Sequence, residues 1–490
     1  MSFQRLLICF IRYNKRWSCQ ALAFMIFIFY IGVSNLKMHL DADAKISYAI
    51  ARSFGSILKW FVLSIIPPIS RVIFTKIRNS YLGRCVGLDR RIADHKLFAF
   101  GASAAAVIHM LAHYIYNPQN FYRQPGITGL IMLSSLAVPL FGVFLARRCF
   151  SCIQKYSYSA QVLRPHQLGA AVFILAYAYH VPDGRLFNFA FAMYSLYLLD
   201  RILEYKYIHT TRILEATKIQ NRHAQSLRSF QNPNYIMLTL ERPPHFGDIQ
   251  PGQYALLSLP QIDAFFECWH PFTISSFDAS KITFLIQRVG PWTKRLAKFL
   301  FDDQKSLQSL QSQEISINGP YGSTLNNFNN YQSMTFIGTG IGVTPFLSYL
   351  NYIFSHEHLK MKRIPNLDLH FVQRTAEDLI PCIQALKTMP LSYVSRINVH
   401  LYVTGVVTEV VTGIVTQIES NIPDDVTVCI NPVKELSLRG KRWFIYTHKP
   451  DFETIVKESN IVAVCGNPCV IKTVSALALK HDKRCLKETF

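Results

Sequence analysis

Four histidines set in two apolar runs constrain this chain more than any other feature. His95 and His109 lie 14 residues apart in HKLFAFGASAAAVIHMLAH, and His166 and His180 lie 14 apart in HQLGAAVFILAYAYH. Fourteen residues are close to four helical turns, so both members of a pair share one helix face, with Cα atoms roughly 21 Å apart along the axis. Two such helices facing each other form two stacked bis-histidine sites. The chemistry that uses neutral imidazoles at two depths of a bilayer is axial ligation of two b-type haems, which pass electrons singly across the membrane. Ionisable groups are costly inside a membrane and functional where they occur. A spacing that repeats argues against two unrelated pairs of hydrogen-bonded histidines.

The rest of the composition fits a chain that is part membrane and part soluble. At 490 residues it is long enough for more than one domain, and 50% hydrophobic residues with 13% aromatics are too many for an ordinary soluble protein. Residues 1–204 hold 22 Lys/Arg against 7 Asp/Glu, a net +15 out of +21. These basic residues bracket apolar spans instead of clustering on a soluble face, which argues against a nucleic-acid partner and for a positive-inside bias. Eleven cysteines show no paired framework, and the lone CxxC from Cys149 to Cys152 reads as an ordinary juxtamembrane pair.

Apolar spans able to cross a core of about 30 Å fall near 17–35, 48–75, 95–117, 126–146, 166–182 and 185–203. Pro67-Pro68 should break the second. Arg5, Arg12, Lys15 and Arg16 precede the first span; Lys76, Arg78, Arg84, Arg90 and Arg91 join the second and third; Arg147, Arg148, Lys155 and Arg164 join the fourth and fifth. Both termini are therefore expected in the cytosol of a multi-pass protein, in the plasma membrane or an internal one. His95 then pairs in depth with His166 on the inner side, and His109 with His180 on the outer. Arg52 and His113 fall beside the outer pair, where a cation and a spare imidazole can stabilise a reduced oxygen anion or supply a proton; Arg52 can equally pair with a haem propionate or snorkel to the interface.

Past Arg201 the pattern changes to short strands. YIMLTLE (235–241), YALLSLP (254–260) and KITFLIQRV (281–289) read as parts of an antiparallel barrel. Between them, His270-Pro271-Phe272-Thr273, with Ser275 and Ser276, places an aromatic and hydroxyls at a strand end, suited to covering a flavin ring and bonding its polar edge. Trp292 and Thr293 after Gly290 open a helix that can hold a pyrophosphate. From 334 the chain turns α/β: a buried strand leads through Gly338, Gly340 and Gly342 into a helix with Thr344 as N-cap and Pro345 as first helical residue, a turn that lets backbone amides approach a dinucleotide phosphate. Strands follow at 367–374, 397–405 and 461–468. Arg374, and Lys441-Arg442, are candidates for the 2′-phosphate that separates NADPH from NADH. Cys465-Gly466 lies where a nicotinamide is expected, and Phe490 can stack on the flavin until nicotinamide displaces it.

Together AIARSFGS, LDRRIADHKLFAF, VIHMLAH, PGITG, WHPFTISS, VGPWT, INGPYG, GTGIGVTPF and the final Phe490 resemble the NADPH oxidase and ferric reductase superfamily over nearly the whole chain, closest to the oxidase branch. The resemblance implies a six-helix transmembrane haem-binding bundle (1–204). A cytosolic dehydrogenase like ferredoxin-NADP reductase would follow, an antiparallel FAD barrel (205–328) and an α/β NADPH domain (329–490). It also implies FAD, two haems held by His95, His109, His166 and His180, cytosolic NADPH, and oxygen reduced by one electron to superoxide, with Arg52 and His113 near the oxygen site. The second histidine spacing is the one usual in ferric reductases, CGNP stands for the usual CGP, and Gln373-Arg374 for a Cys-Arg pair. A ferric- or cupric-chelate reductase with the same cofactors therefore stays open, as do a silent membrane scaffold and a soluble-type flavin reductase on an unrelated anchor. A small membrane subunit or cytosolic activators are open as partners.

Overall fold

The break that two adjacent prolines impose sets the layout of the first part of the chain. The computed structural model describes residues 15–79, 91–149, 164–180, 184–219, 235–263, 269–301, 311–322, 331–355, 366–375, 377–387, 396–405, 427–430 and 442–488. They form two compact units, one built on Asn14–Tyr207 and the other on Ile208–Ile262 with His270–Phe490.

In the first unit, helices occupy all six apolar stretches: α1 (Lys15–Asp41), α2 (Ile46–Ile65), α4 (Arg91–Tyr116), α5 (Gln124–Cys149), α6 (Arg164–His180) and α7 (Gly184–Tyr205). Three stretches, Leu22–Asp41, Ile46–Ile69 and Asp94–Tyr116, are long and apolar enough to cross a membrane, and His166–Tyr177 is a shorter apolar helix. The second stretch ends its α-helix at Ile65, passes through a 3-10 turn at Pro67–Ile69 and restarts as α3 (Arg71–Asn79), because proline lacks the amide and crowds the preceding turn. The fresh N-terminus is capped from a distance. Asp200 of α7, fully buried, accepts hydrogen bonds from Arg71 N and Ile73 N, both at 2.9 Å, and its charge faces the positive helix end. Small residues allow close packing: Ser53 Oγ of α2 donates to Gly32 O of α1 at 2.6 Å, and Gly101 of α4 lies under the Phe61 ring of α2. Phe29, Phe100, Ile115, Leu175 and Tyr179 are exposed on these helices, a set of large apolar side chains suited to lipid. Cys149 ends α5; the remainder of the CxxC lies outside the described residues.

The second unit opens with a closed antiparallel barrel in the order β1-β2-β5-β4-β3-β6: β1 (Ile208–Ile219), β2 (Tyr235–Glu241), β3 (Tyr254–Ser258), β4 (His270–Phe277), β5 (Lys281–Gln287) and β6 (Glu314–Tyr321). Helix α8 (Pro291–Leu300) sinks Trp292, Leu296, Ala297 and Leu300 into the barrel core. A seven-stranded sheet follows, with β7 (Ser333–Thr339), β8 (Asn366–Gln373), β9 (Ile397–Val403), β10 (Thr427–Ile430), β11 (Arg442–Tyr446), β12 (Ile461–Cys465) and β13 (Arg484–Glu488), in the order β10-β11-β9-β8-β7-β12-β13. Its described pairings are all parallel. Its helices are α9 (Thr344–Ser355), α10 (Ile380–Lys387), α11 (Phe452–Glu458) and α12 (Pro468–Lys480). The chain departs from β7 toward β8 on one side and returns to β12 on the other, so the strand order reverses between β7 and β12, where such sheets bind ligands at their carboxyl ends. Helix α9 ties barrel to sheet: Ser348 Oγ accepts from Gly252 N at 3.2 Å and Asn351 Oδ1 from Phe277 N at 3.0 Å.

Candidate active site

Helices α4 and α6 bring the four histidines together at two levels. His95 and His166 have ring centroids 5.9 Å apart, and His109 and His180 6.3 Å. An imidazole nitrogen lies about 2 Å from a bound first-row metal, so two imidazoles on opposite sides of one iron have centroids roughly 6 Å apart. The other ring nitrogen is engaged in three of the four. His95 Nδ1 meets Ile65 O at 2.9 Å, His109 Nδ1 meets Ala51 O at 2.7 Å, and His180 Nδ1 meets Thr128 Oγ1 at 3.0 Å. A bond at Nδ1 fixes the ring and leaves Nε2 as the metal-facing nitrogen. The Ile65 carbonyl is available because the proline break ends α2 there and Ile69 N turns to Ile66 O instead. Glycines make room at the second level: a Cβ on Gly55 would come 3.1 Å from His109, and one on Gly129 3.1 Å from His180. The donor set therefore fits two bis-histidine haems.

His113 stands beside this second level, its ring 4.7 Å from His109 and edge-on to Tyr48 at 6.4 Å. Arg52 follows Ala51, whose carbonyl holds His109, and is exposed. The sequence reading named the four histidines and gave no role to Gly55, Gly129, Thr128 and the two carbonyls that lie against them.

In the barrel, β4 carries the predicted flavin-facing stretch. His270 stacks on Trp292 at 4.3 Å and 24°, and Phe272 lies 5.5 Å from the same indole. Trp292 is buried in the barrel core, so it supports this face from below. Pro271 is exposed, Phe272 and Ser276 are half-buried, and Thr273 and Ser275 are buried, with Ser275 Oγ donating to Thr283 O at 2.8 Å. The Thr293 hydroxyl accepts from Val289 N at 3.1 Å and Gly290 N at 3.0 Å and donates to Gly290 O. That hydroxyl is engaged in closing the start of α8; what suits a phosphate here is the backbone at the positive helix end. A Cβ on Gly290 would meet nothing within 4 Å, so the backbone at this helix start is open on that side.

At the carboxyl edge of the sheet the glycine turn after β7 packs directly on the turn after β12. A Cβ on Gly342 would come under 3.0 Å from the backbone of Cys465 and Gly466. Gly466, at φ +130°, would strike Thr339 Oγ1 and its carbonyl. Gly340 has φ +57° and open surroundings, its nearest neighbour being Tyr235 Oη at 3.9 Å. Burial, with the Asp378 carboxylate nearby, pushes the Tyr235 phenol up, so it stays a protonated donor. Gln373 Nε2 donates to Gly340 O at 3.0 Å and Asn467 N to Thr339 Oγ1 at 2.8 Å. Asn467, the residue inserted in CGNP, accepts from Cys469 N and caps α12 ahead of Pro468. Neither Gln373 nor Asn467 was foreseen as a support.

Two placements differ from the sequence reading. Thr344 is already helical, at φ −53° and ψ −47°, because a 3-10 turn (Gly340–Val343) leads into α9 and the Thr344 hydroxyl turns back to Ile341 O; Pro345 is thus the second helical residue, and both are buried. Cys465 is fully buried in the sheet core, so its backbone, against Gly342, is the part that shapes the crevice. Arg374 is exposed at the carboxyl end of β8, with its carbonyl accepting from Gly405 N at 2.9 Å. Arg442 opens β11 at the amino edge, opposite that end; Lys441 and Phe490 lie outside the described residues. Arg374→Ala is expected to raise KM for NADPH about tenfold, the scale of one lost charge-assisted hydrogen bond, and to leave NADH unchanged; steady-state flavin reduction with both donors checks it.

Comparison with known proteins places these elements. A FAD-binding domain family matches residues 219–325, and the ferric reductase NAD binding domain family matches 331–479. A superoxide-generating NADPH oxidase heavy chain of Dictyostelium discoideum is 26% identical over 425 residues, which are 72% of this chain and 58% of that protein. Human NADPH oxidase 5 is 24% identical over 545 residues, covering 94% of this chain and 68% of its own length. The chain thus spans less than two thirds of the Dictyostelium relative. A ferredoxin NADP+ reductase from Neisseria gonorrhoeae aligns with 58% of this chain and 98% of its own at 14% identity and a TM-score of 0.35.

Proposed function

We propose that this chain, an oxidoreductase with a FAD-binding domain and a ferric reductase NAD binding domain and with NADPH oxidases among its relatives, moves electrons from cytosolic NADPH through FAD and two b-type haems to molecular oxygen across the membrane, yielding superoxide. The observation that carries the reading is the pair of opposed histidine sets, 5.9 and 6.3 Å between ring centroids, with Nδ1 anchored in three rings. Flavin and haems supply the conversion of a two-electron donor into one-electron steps.

The chain's own residues bind and orient. Gly340 would let the backbone approach the dinucleotide phosphates, Gly338 and Gly342 would hold the turn tightly against Val343 and the Gly466 turn, and Arg374 would meet the 2′-phosphate. His270, Pro271, Phe272, Thr273, Ser275 and Ser276 would supply the strand end that holds the flavin, and Phe490 would cover its ring until nicotinamide arrives. His95 and His166 would hold the inner haem, and His109 and His180 the outer. Arg52 steadies the negative charge that develops on oxygen, and His113 donates a proton nearby. The basic connecting segments support cytosolic termini. Ferric or cupric chelate is the second reading of the acceptor, supported by the spacing of 14 between His166 and His180.

The test is NADPH oxidation by the purified, FAD-supplemented protein in lipid. Cytochrome c reduction sensitive to superoxide dismutase is expected, with little anaerobic ferric-chelate reduction. Fast anaerobic iron reduction with little superoxide would instead assign the metal chelate as acceptor.

A further inference from the structure

Tyr235 belongs to the barrel by sequence and to the sheet by packing. It opens β2, where the register sets it between Ile219 of β1 and Gln287 of β5. Successive side chains of a strand point to opposite faces: Ile236, Leu238 and Leu240 fill the barrel core, and Tyr235 turns outward. With Ile219 and Leu285 it joins the hydrophobic cluster of the sheet and α9, which includes Phe336, Val343 and Phe346.

An aromatic ring alone would serve that packing, so the hydroxyl needs its own account. Tyr235 is only 4% exposed, and a buried hydroxyl without a hydrogen bond is costly. Among the described residues burial and the neighbouring Asp378 and Cys382 act on this phenol, and no hydrogen bond does. Its oxygen reaches the turn after β7, 3.9 Å from the place that a Cβ on Gly340 would take, and beyond the residues adjoining Gly340 no other atom comes within 4 Å of that place. Gln373 Nε2 holds the Gly340 carbonyl at 3.0 Å. The turn is therefore fixed from β8 while the phenol reaches it from β2, at the carboxyl end of β7 where the strand order reverses.

The chemistry of the two sides selects a ligand. Burial and the Asp378 carboxylate disfavour a phenolate, so the hydroxyl donates. A glycine without a side chain lets a group come against the main chain. A protonated donor across open space from bare backbone suits an anionic oxygen. We infer that the Tyr235 hydroxyl donates a hydrogen bond to a pyrophosphate oxygen of the nicotinamide dinucleotide where it crosses Gly340, so that the barrel grips the electron donor as well as the flavin. The inference rests on the nucleotide-binding part of the function proposed above and is independent of the haems and the acceptor. NADPH and NADH share the pyrophosphate, whereas Arg374 answers to the 2′-phosphate of NADPH alone. Tyr235 thus sets affinity for both donors, and Arg374 chooses between them.

The experiment uses the full-length, FAD-loaded protein in lipid and the Tyr235→Phe variant, which keeps the ring in its apolar cluster. Calorimetry measures binding of ADP-ribose, which carries the pyrophosphate, and of adenosine 2′-monophosphate, which lacks it; steady-state flavin reduction is followed with NADPH and with NADH. In the variant the Kd for ADP-ribose and the KM for both donors should rise about tenfold, with kcat, FAD content and the Kd for adenosine 2′-monophosphate unchanged. Equal ADP-ribose binding by variant and wild type overturns the inference and leaves the nucleotide reading standing. A loss confined to NADPH, or a fall in kcat together with lost FAD, also overturns it, the first by pointing to the 2′-phosphate and the second to a structural role. A wild-type protein that binds no ADP-ribose would remove the nucleotide reading itself, and the inference with it.

Discussion

Replacing His109 by leucine is expected to bring oxygen reduction down to background while NADPH still reduces the flavin at the wild-type rate. His109 faces His180 across 6.3 Å, with its Nδ1 on Ala51 O. Leucine removes the nitrogen that faces its partner and leaves an apolar side chain of comparable size on an apolar helix, so the bundle has little reason to unfold. The residues read as flavin- and nucleotide-binding belong to the other unit, which explains why the first half of the path should persist. Part of the haem absorbance should bleach, because the level at His95 and His166 keeps both rings. His113→Leu is the contrast: that ring stands 4.7 Å from His109 and edge-on to it, and the haem content should stay whole. Anaerobic stopped-flow reduction of flavin, haem quantitation and oxygen uptake on the same preparation separate the steps. Full haem content together with full oxygen uptake in His109→Leu would sink the ligand assignment, and retained activity toward the natural acceptor would favour a flavin reductase on an unrelated anchor.

What could be read from the sequence followed the range of the interactions involved. The histidine pairs were legible because helical periodicity is local, and 14 residues return to the same face. Their supports were not: the carbonyls that hold His95 and His109 come from residues 30 and 58 positions away. Gly55 and Gly129 matter only once another helix is laid against them. Strands β2, β3 and β5 announced themselves as short apolar runs, whereas β1, IHTTRILEATKI, alternates polar residues and follows directly on a helix. The break at Pro67-Pro68 was visible from the missing amides, but not that Asp200, more than a hundred residues later, caps the helix that restarts. Thr293 and Thr344 show the limit at single-residue scale. Each was placed correctly beside a helix start, yet the hydroxyl's partner depends on where the first turn begins, which tertiary packing decides.

The Gly342→Ala substitution should be the most damaging single methyl in the soluble half, cutting NADPH-driven flavin reduction about a hundredfold, the scale of a 1 Å misplacement at a reacting pair. The added carbon would lie under 3.0 Å from Cys465 C and from the Gly466 backbone. No rotamer relieves this contact, since both sides are main chain, so the turns after β7 and β12 must move apart. That separation strains the bonds that register them, Asn467 N to Thr339 Oγ1 at 2.8 Å and Gln373 Nε2 to Gly340 O at 3.0 Å. Overpacking of this kind costs about 1–3 kcal/mol, enough to displace the crevice without unfolding the sheet. Gly340→Asn is the control. Its φ of +57° suits asparagine among the non-glycine residues, so the turn should keep its form, and because the side chain enters the space the dinucleotide phosphates approach through, the loss should fall on KM for NADPH and not on kcat. Chemical reduction with dithionite bypasses the nucleotide crevice, and haem reduction by that route should match wild type in both variants. Equal NADPH kinetics for Gly342→Ala and wild type would mean that the contact between the two turns does not position the nucleotide, and that Arg374 and the residues near β8 carry its binding instead.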